Sequence, residues 1–302
     1  MPVQSGKVRV GLIGFGEVGS SLGLGLKKQG VEVVAFDKGF QTPPFGELIQ
    51  KRARESGVPL LDSVEAVVSA SDLILSMVPG GFAMEAARAA VPALTAGKTY
   101  VDLGTATPPM KEQMAGVVEA AGASFVDVAI MGSPLQDKHH VATLASGREA
   151  EAYRHMVTPL GMKVTVVGDR PGRAAAIKMF RSIFMKGIEA LVIETLMACK
   201  TWDVADVVMD TVTKTLDKQP FYRDFTDFLV TTDAIHAERR AHEMDMVIET
   251  MEAVGIEPKM TRSTAEVIHW TAGLGLKEHF GGEVPANWET VVDEIFRRLG
   301  KA

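Results

Sequence analysis

Three short stretches of this chain hold residue types whose spacing suits chemistry. The first is Gly14-Phe15-Gly16-Glu17-Val18-Gly19, where the glycines are spaced G-x-G-x-x-G directly after the β-branched run Val8–Ile13. A helical pattern through Leu22, Leu24 and Leu26 follows at once. Gly14 suits a tight turn off a strand, Gly16 close approach of a pyrophosphate to backbone, and Gly19 close packing of helix on strand. Amide groups at the helix start, with the helix dipole, would hold the anion. Asp37 ends the next apolar run, 18 residues after Gly19, near the spacing of a ribose-binding acid. Its carboxylate can accept from both ribose hydroxyls and would repel a 2′-phosphate, which favours NAD over NADP. The neighbouring Lys38 tempers that preference, since an ammonium can reach a phosphate.

The second stretch is helical. Lys178, Arg181, Ser182, Met185 and Glu189 fall three and four apart and share one face. A lysine in such an apolar segment either snorkels to solvent or sits in a cleft and transfers protons. Arg181 reads as a clamp for a carboxylate or phosphate, or as a surface charge facing Glu189. The third stretch places His236, Arg239, Arg240 and Glu243 along one helical face. That face reads either as ion-paired and solvated or as an anion-binding wall over a cleft. No metal site is expected: His139 and His140 are adjacent, His236 and His242 lie off-face, and no H-E-x-x-H run accompanies them. The single Cys199 excludes an internal disulfide and reads as a buried thiol.

The elements that must position these residues alternate in the first half. Strands are expected at Val8–Ile13, Val31–Phe36, Val58–Leu61, Asp72–Val78, Thr99–Leu103 and Ser124–Ala129, with short ones at Thr143–Ser146 and Val164–Val167. Helices are expected at Ser20–Gly30, Glu47–Ser56, Ser63–Ser69, Phe82–Leu94 and Met110–Ala121. This rhythm predicts an α/β fold with a doubly wound parallel sheet. Ligands of such a sheet lie beyond the carboxyl ends of the strands. Those ends are Gly14–Gly19, Asp37, Met77–Gly80, Gly104–Ala106 and Ala129–Ser133. The rhythm stops near 168–172, giving expected domains at 1–169 and 170–302. Helices then follow at Ala174–Lys200, Val204–Leu216, Asp227–Val254, Thr261–Thr271 and Asn287–Arg298. The methionines of this half (Met179, Met185, Met197, Met209, Met244, Met246, Met251 and Met260) read as filler between packed helices.

Composition narrows the classes. A net charge of −6 over 302 residues offers no general basic field for nucleic acid. No apolar run has the roughly 18–20 residues that span a bilayer, and the first strand begins too early for a signal peptide. A cytoplasmic enzyme is the expectation.

Together these landmarks resemble the β-hydroxyacid dehydrogenase family, which includes 3-hydroxyisobutyrate and 6-phosphogluconate dehydrogenases, and within it a phosphogluconate-dehydrogenase-like bacterial branch. Gly14 to Gly19 resembles its dinucleotide signature, so Phe15, Glu17 and Val18 join the cofactor loop. Asp72–Pro79 is similar to its D-x-x-x-x-x-x-P stretch, which implies that Val78 and Pro79 lie beside a nicotinamide. Val101-Asp102-Leu103-Gly104-Thr105 is similar to V-D-x-S-T, with Gly104 in place of serine and Thr105 retained. Phe125–Ser133 resembles the substrate loop F-x-D-A-P-V-S-G-G: Asp127 and Gly132 match, while Met131 replaces the serine. Gly172 to Lys178 resembles the helix start that carries the catalytic lysine. Arg181 and Ser182 stand where the family has two asparagines.

The resemblance implies a Rossmann domain, a long interdomain helix and an all-α C-terminal domain that forms a homodimer. It implies hydride transfer between NAD(P) and a small anionic hydroxy acid or carbonyl substrate, with Lys178 as general acid/base. Met131, Gly132, Ser133, Arg181, Ser182, His236 and Arg240 are the expected substrate contacts. An imine reductase, or a regulatory protein that binds NAD without turnover, are the rival readings.

Overall fold

The computed structural model describes residues 8–200, 203–216, 221–253, 255 and 257–301. The chain forms two compact units, Met1–Lys178 and Met179–Ala302.

The first unit is a twisted sheet with helices. Its strands are β1 (Arg9–Ile13), β2 (Glu32–Phe36), β3 (Leu73–Ser76), β4 (Thr99–Asp102), β5 (Ser124–Ile130), β6 (Ala142–Ser146) and β7 (Lys163–Val166). Among the described residues they form one seven-stranded sheet, ordered β2-β1-β3-β4-β5-β6-β7. All pairs are parallel except β5 with β6. The helices are α1 (Glu17–Lys28), α2 (Gly46–Ser56), α3 (Val64–Ala70), α4 (Ala83–Ala90), α5 (Pro108–Ala120), α6 (Pro134–Asp137) and α7 (Ala150–Val157).

Successive residues of each strand feed opposite faces, as the two-residue period requires. Leu73, Leu75, Val101 and Val126 join a core with Leu22 and Leu26 of α1 and Tyr153 of α7. Ile74, Tyr100 and Phe125 join the other, with Ala87 of α4 and Met114 and Val118 of α5. Burial on both faces explains why these strands read as continuous apolar runs.

Two expectations need correction. The strand expected at Val58–Leu61 reduces to a single bridge between Ala35 and Leu60, because Pro59 cannot donate to a ladder. The helix expected over Phe82–Leu94 is α4 flanked by 3-10 turns at Gly80–Phe82 and Val91–Ala93. Helix α7 was not expected, although Tyr153 and Val157, four apart, are its buried face. Caps behave as the residue types dictate. Ser63 accepts from the Ala66 amide at 3.0 Å, and Thr107 caps α5 ahead of Pro108.

Helix α8 (Arg173–Lys200) opens in the first unit, and its later residues belong to the second. The remaining helices are α9 (Ala205–Leu216), α10 (Phe221–Ala253), α11 (Lys259–Gly273), α12 (Leu276–His279) and α13 (Trp288–Arg298). The end expected for α10 at Val254 lies outside the described residues. Val192, Ile193, Leu229, Val230, Val291 and Ile295 form one core of this unit, and Met179, Met244, Val247 and Ile268 a second. Methionine therefore serves as core at 179 and 244, while Met260 is exposed. The Met197 and Met251 side chains lie outside the described residues. Among the described residues, no helix is long and apolar enough to cross a membrane.

Candidate active site

The glycine loop joins β1 to α1 with the geometry its sequence implies. Gly14 has φ +90°, which L side chains rarely adopt, and a Cβ there would lie 2.9 Å from the Met77 carbonyl oxygen. A Cβ on Gly19 would lie 2.1 Å from the Gly14 oxygen, so only glycine lets α1 pack this closely. Gly16 differs from both: a Cβ there would meet nothing within 4 Å. It is also the N-cap of α1 and supplies no side-chain cap. An uncapped helix start behind open space is what an anionic group requires.

Asp37 closes this loop from the end of β2. Its Oδ2 accepts from the Phe15 amide at 2.7 Å and its Oδ1 from the Gly39 amide at 2.9 Å. Each carboxylate oxygen keeps a further lone pair for a hydroxyl donor. The Phe15 ring is buried in the core, whereas Glu17 is exposed and Val18 half-buried. Lys38 points outward and pairs with Glu85 at 3.0 Å. Val78 and Pro79 follow β3, half-buried and exposed respectively. A Cβ on Gly104 would lie 2.8 Å from the Val78 carbonyl oxygen, a physical reason for glycine at this position.

Lys178 enters from the first turns of α8. Its Nζ donates to Thr105 Oγ1 at 3.2 Å, which brings a basic side chain to the loop after β4. Met131, Gly132 and Ser133 form the turn after β5. The Met131 amide donates to the Ala142 carbonyl at 2.8 Å, and Ser133 starts the short helix α6.

The first unit also buries a group of charges. Lys111 of α5 is 1% exposed and pairs with Asp102 at 2.6 Å and Asp127 at 3.0 Å. Burial pushes Asp102 above its ordinary value despite the lysine. Burial alone would pull Lys111 down, but the two carboxylates outweigh it and hold the ammonium above its ordinary value. The motif resemblance touched Asp102 and Asp127 but missed Lys111. Its signal was a lysine three, four and seven residues before Met114, Ala115 and Val118, on the apolar stripe of α5.

In the second unit, Arg181 is exposed, Ser182 half-buried and His236 exposed. The face expected to unite His236, Arg239, Arg240 and Glu243 is divided. Arg239 is exposed and pairs with Glu243. Arg240 is buried, pairing with Glu189 and, at 3.8 Å, with Asp233, while its Nη2 donates to Thr232 Oγ1 at 2.6 Å. Its guanidinium is thus already committed inside the helical unit. Burial pushes Glu189 up to about 8, with the Asp233 charge adding to it against Arg240. Burial, with Arg240 nearby, lowers Lys186. Cys199 is buried. Among the described residues, no group of three or more His, Cys, Asp or Glu is arranged to hold a metal ion.

Residues 9–168 match the NAD binding domain of 6-phosphogluconate dehydrogenase, more than half of the chain. The chain belongs to the NAD(P)-dependent hydroxyacid dehydrogenase family. Residues 200–271 of this dehydrogenase match a domain of unknown function, DUF1932. A conserved hypothetical protein of Sinorhizobium meliloti is 31% identical, with 98% of each chain covered and a TM-score of 0.76. A conserved protein of unknown function, described as structurally similar to 3-hydroxyacid dehydrogenases, is 32% identical over 91% of this chain and 100% of its own, with a TM-score of 0.71. The 2-(hydroxymethyl)glutarate dehydrogenase of Eubacterium barkeri is 24% identical over 185 residues, 59% of each chain.

Proposed function

We propose that this dehydrogenase interconverts a small anionic hydroxy acid and its carbonyl form, with Lys178 as the proton-transferring residue and NAD as the preferred cofactor. The observation that carries the reading is the hydrogen bond from Lys178 Nζ to Thr105 Oγ1, at the end of β4 in the same sheet whose β1 leads into the glycine loop, with β3 between them. The open space at Gly16, the uncapped start of α1 and the Asp37 carboxylate fit a dinucleotide. When bound, the nicotinamide accepts or donates the hydride.

The chain's own residues bind, orient and move the proton. Lys178 takes the hydroxyl proton in oxidation and returns it in reduction. Arg181 supplies a fixed cation for the substrate's anionic group, with Ser133, Ser182 and His236 as further polar contacts. Met131 offers no hydroxyl and gives its side of the site an apolar wall, beside Gly132, where a Cβ would lie 3.1 Å from Val141 Cγ2. Asp37 disfavours a 2′-phosphate by charge, and Lys38, engaged with Glu85, offsets this only weakly. A second copy of the chain would associate through the helical region, supported by the exposed Phe180 and Phe184 one turn apart on α8; light scattering of a dilute, active sample tests it.

The central test is Lys178→Met assayed against a panel of small hydroxy acids with NAD. Turnover is expected to fall about 10²–10⁴-fold while NADH binding, read by fluorescence, is retained. Near wild-type turnover in that variant would remove Lys178 from the mechanism.

A further inference from the structure

A row of polar side chains crosses the sheet just below its strand ends. Ser76, Asp102, Asp127 and Ser146 are register partners on β3, β4, β5 and β6. All four are 0% exposed. Two residues upstream, the same face carries Ile74, Tyr100 and Phe125, which pack as ordinary core. The fold therefore does not need charge on this face. Burying an ion costs several kcal/mol, and well-packed apolar residues in its place are often as stable or more so.

The two carboxylates lie near the two chain segments that meet in the Lys178–Thr105 hydrogen bond. Asp127 Oδ2 accepts from the Gly172 amide at 3.1 Å, the Ala175 amide at 3.1 Å and Ser146 Oγ at 3.0 Å. Ser146 Oγ in turn accepts from the Ala174 amide at 3.0 Å. The first turn of α8 is thus held by acceptors on β5 and β6, and Lys178 lies one turn further along. Asp102 lies against Gly104, the residue before Thr105: a Cβ there would sit 3.4 Å from Asp102 Oδ1. Lys111 joins the two carboxylates and also donates to the Asp102 carbonyl at 2.9 Å. Two carboxylates against one ammonium leave an excess negative charge, which the amide end of α8 offsets.

We infer that Lys111, Asp102 and Asp127 are positioning residues that set Lys178 against Thr105. The inference rests on the reading of Lys178 as the proton-transferring group. Lys111 clamps β4 and β5 together, Asp102 sets the loop that presents Thr105, and Asp127 sets the helix that presents Lys178. A displacement of either end by about 1 Å is enough to cost a catalytic group 10²-fold in rate.

The test labels the lysines of the whole protein with acetic anhydride across a pH series, read by peptide mass spectrometry. Lys178 is compared with the exposed Lys38 and Lys51 in the same sample. Two variants are used: the charge-balanced Lys111→Met/Asp102→Asn, and Asp127→Asn, which keeps an acceptor for the α8 amides. Circular dichroism checks that each is folded, and Ser146→Ala substitutes for either that is not. The labelling profile of Lys178 is expected to move by at least about threefold, where tenfold corresponds to one pKa unit, with Lys38 and Lys51 unmoved. A folded variant with a lower melting temperature and a Lys178 profile superimposable on wild type would overturn the inference and leave the row a structural feature. Labelling needs no turnover, so this outcome is independent of the Lys178→Met assay.

Discussion

Lys111 with Asp102 and Asp127, and Arg240 with Glu189 and Asp233, are each one cation against two carboxylates, and each is buried. They differ in what else the carboxylates hold. In the sheet, Asp127 accepts from the amides that open α8. In the helical unit, Arg240 ties α10 to α8 side chain to side chain, through Glu189, and returns to α10 at Thr232. A carboxylate of the first cluster is wired into the amides of a helix start, whereas the carboxylates of the second meet the Arg240 side chain. A rigid sheet can therefore pass the position of Lys111 on to a helix terminus. The helical cluster fastens two helices and meets backbone at the Leu229 carbonyl, 3.5 Å from Arg240 Nη1.

That difference sets four expectations. The largest is for Lys111→Met, which leaves two buried carboxylates without their cation. A loss of about 3–5 kcal/mol of unfolding free energy is expected by denaturant titration, and adding Asp102→Asn recovers part of it. If the double variant is no more stable than the single one, the carboxylates are not the source of the loss. Arg240→Met follows, with a loss near the low end of that range, about 3 kcal/mol, because Glu189, held at about 8, already keeps its proton at neutral pH and depends less on its partner. The Lys178 labelling profile should stay unchanged in that variant. A shift there would erase the distinction between the clusters.

The third expectation concerns pH. Glu189 is held at about 8, above its ordinary 4.5, so the folded chain keeps a proton that the unfolded chain has already released. Stability contributed by this group is present at low pH and is lost as pH rises from 4.5 to about 8. Glu189→Gln should flatten the slope of stability against pH in that window, by at most about 1.4 kcal/mol per pH unit. An unchanged slope would place the titrating group elsewhere. The smallest effect is at the cofactor loop. Asp37→Ser removes a charge-assisted acceptor and the repulsion of a 2′-phosphate, and NADPH should gain on NADH by about 1 kcal/mol in paired fluorescence titrations.

Much of the first unit was legible because its signals are local. A strand, three glycines and a helix within residues 9–28 leave little freedom, and every glycine of the motif has the environment its position implied. Helix α8 was legible from its lack of breakers, whereas helical spacing left the role of Lys178 open and only the resemblance of Gly172 to Lys178 singled it out. The Val58–Leu61 segment misled because apolar residues flank a proline, and only neighbouring strands decide whether such a run joins a ladder. Arg240 misled for a related reason. Helical spacing says which residues share a face, but Arg239 and Arg240 are adjacent, and only packing chose which turned inward.

Residue order alone determined the nucleotide-binding unit, the carboxylate at 37 and the helix that carries Lys178, because each depends on contacts close in sequence. Tertiary structure decided the row from Ser76 to Ser146. Its four members lie on four strands, and Lys111, which pairs with two of them, belongs to a helix. No spacing rule links residues 76, 102, 127 and 146. Parallel pairing in register puts them side by side, and only then do two buried carboxylates reach the amides of α8 and the loop of Thr105.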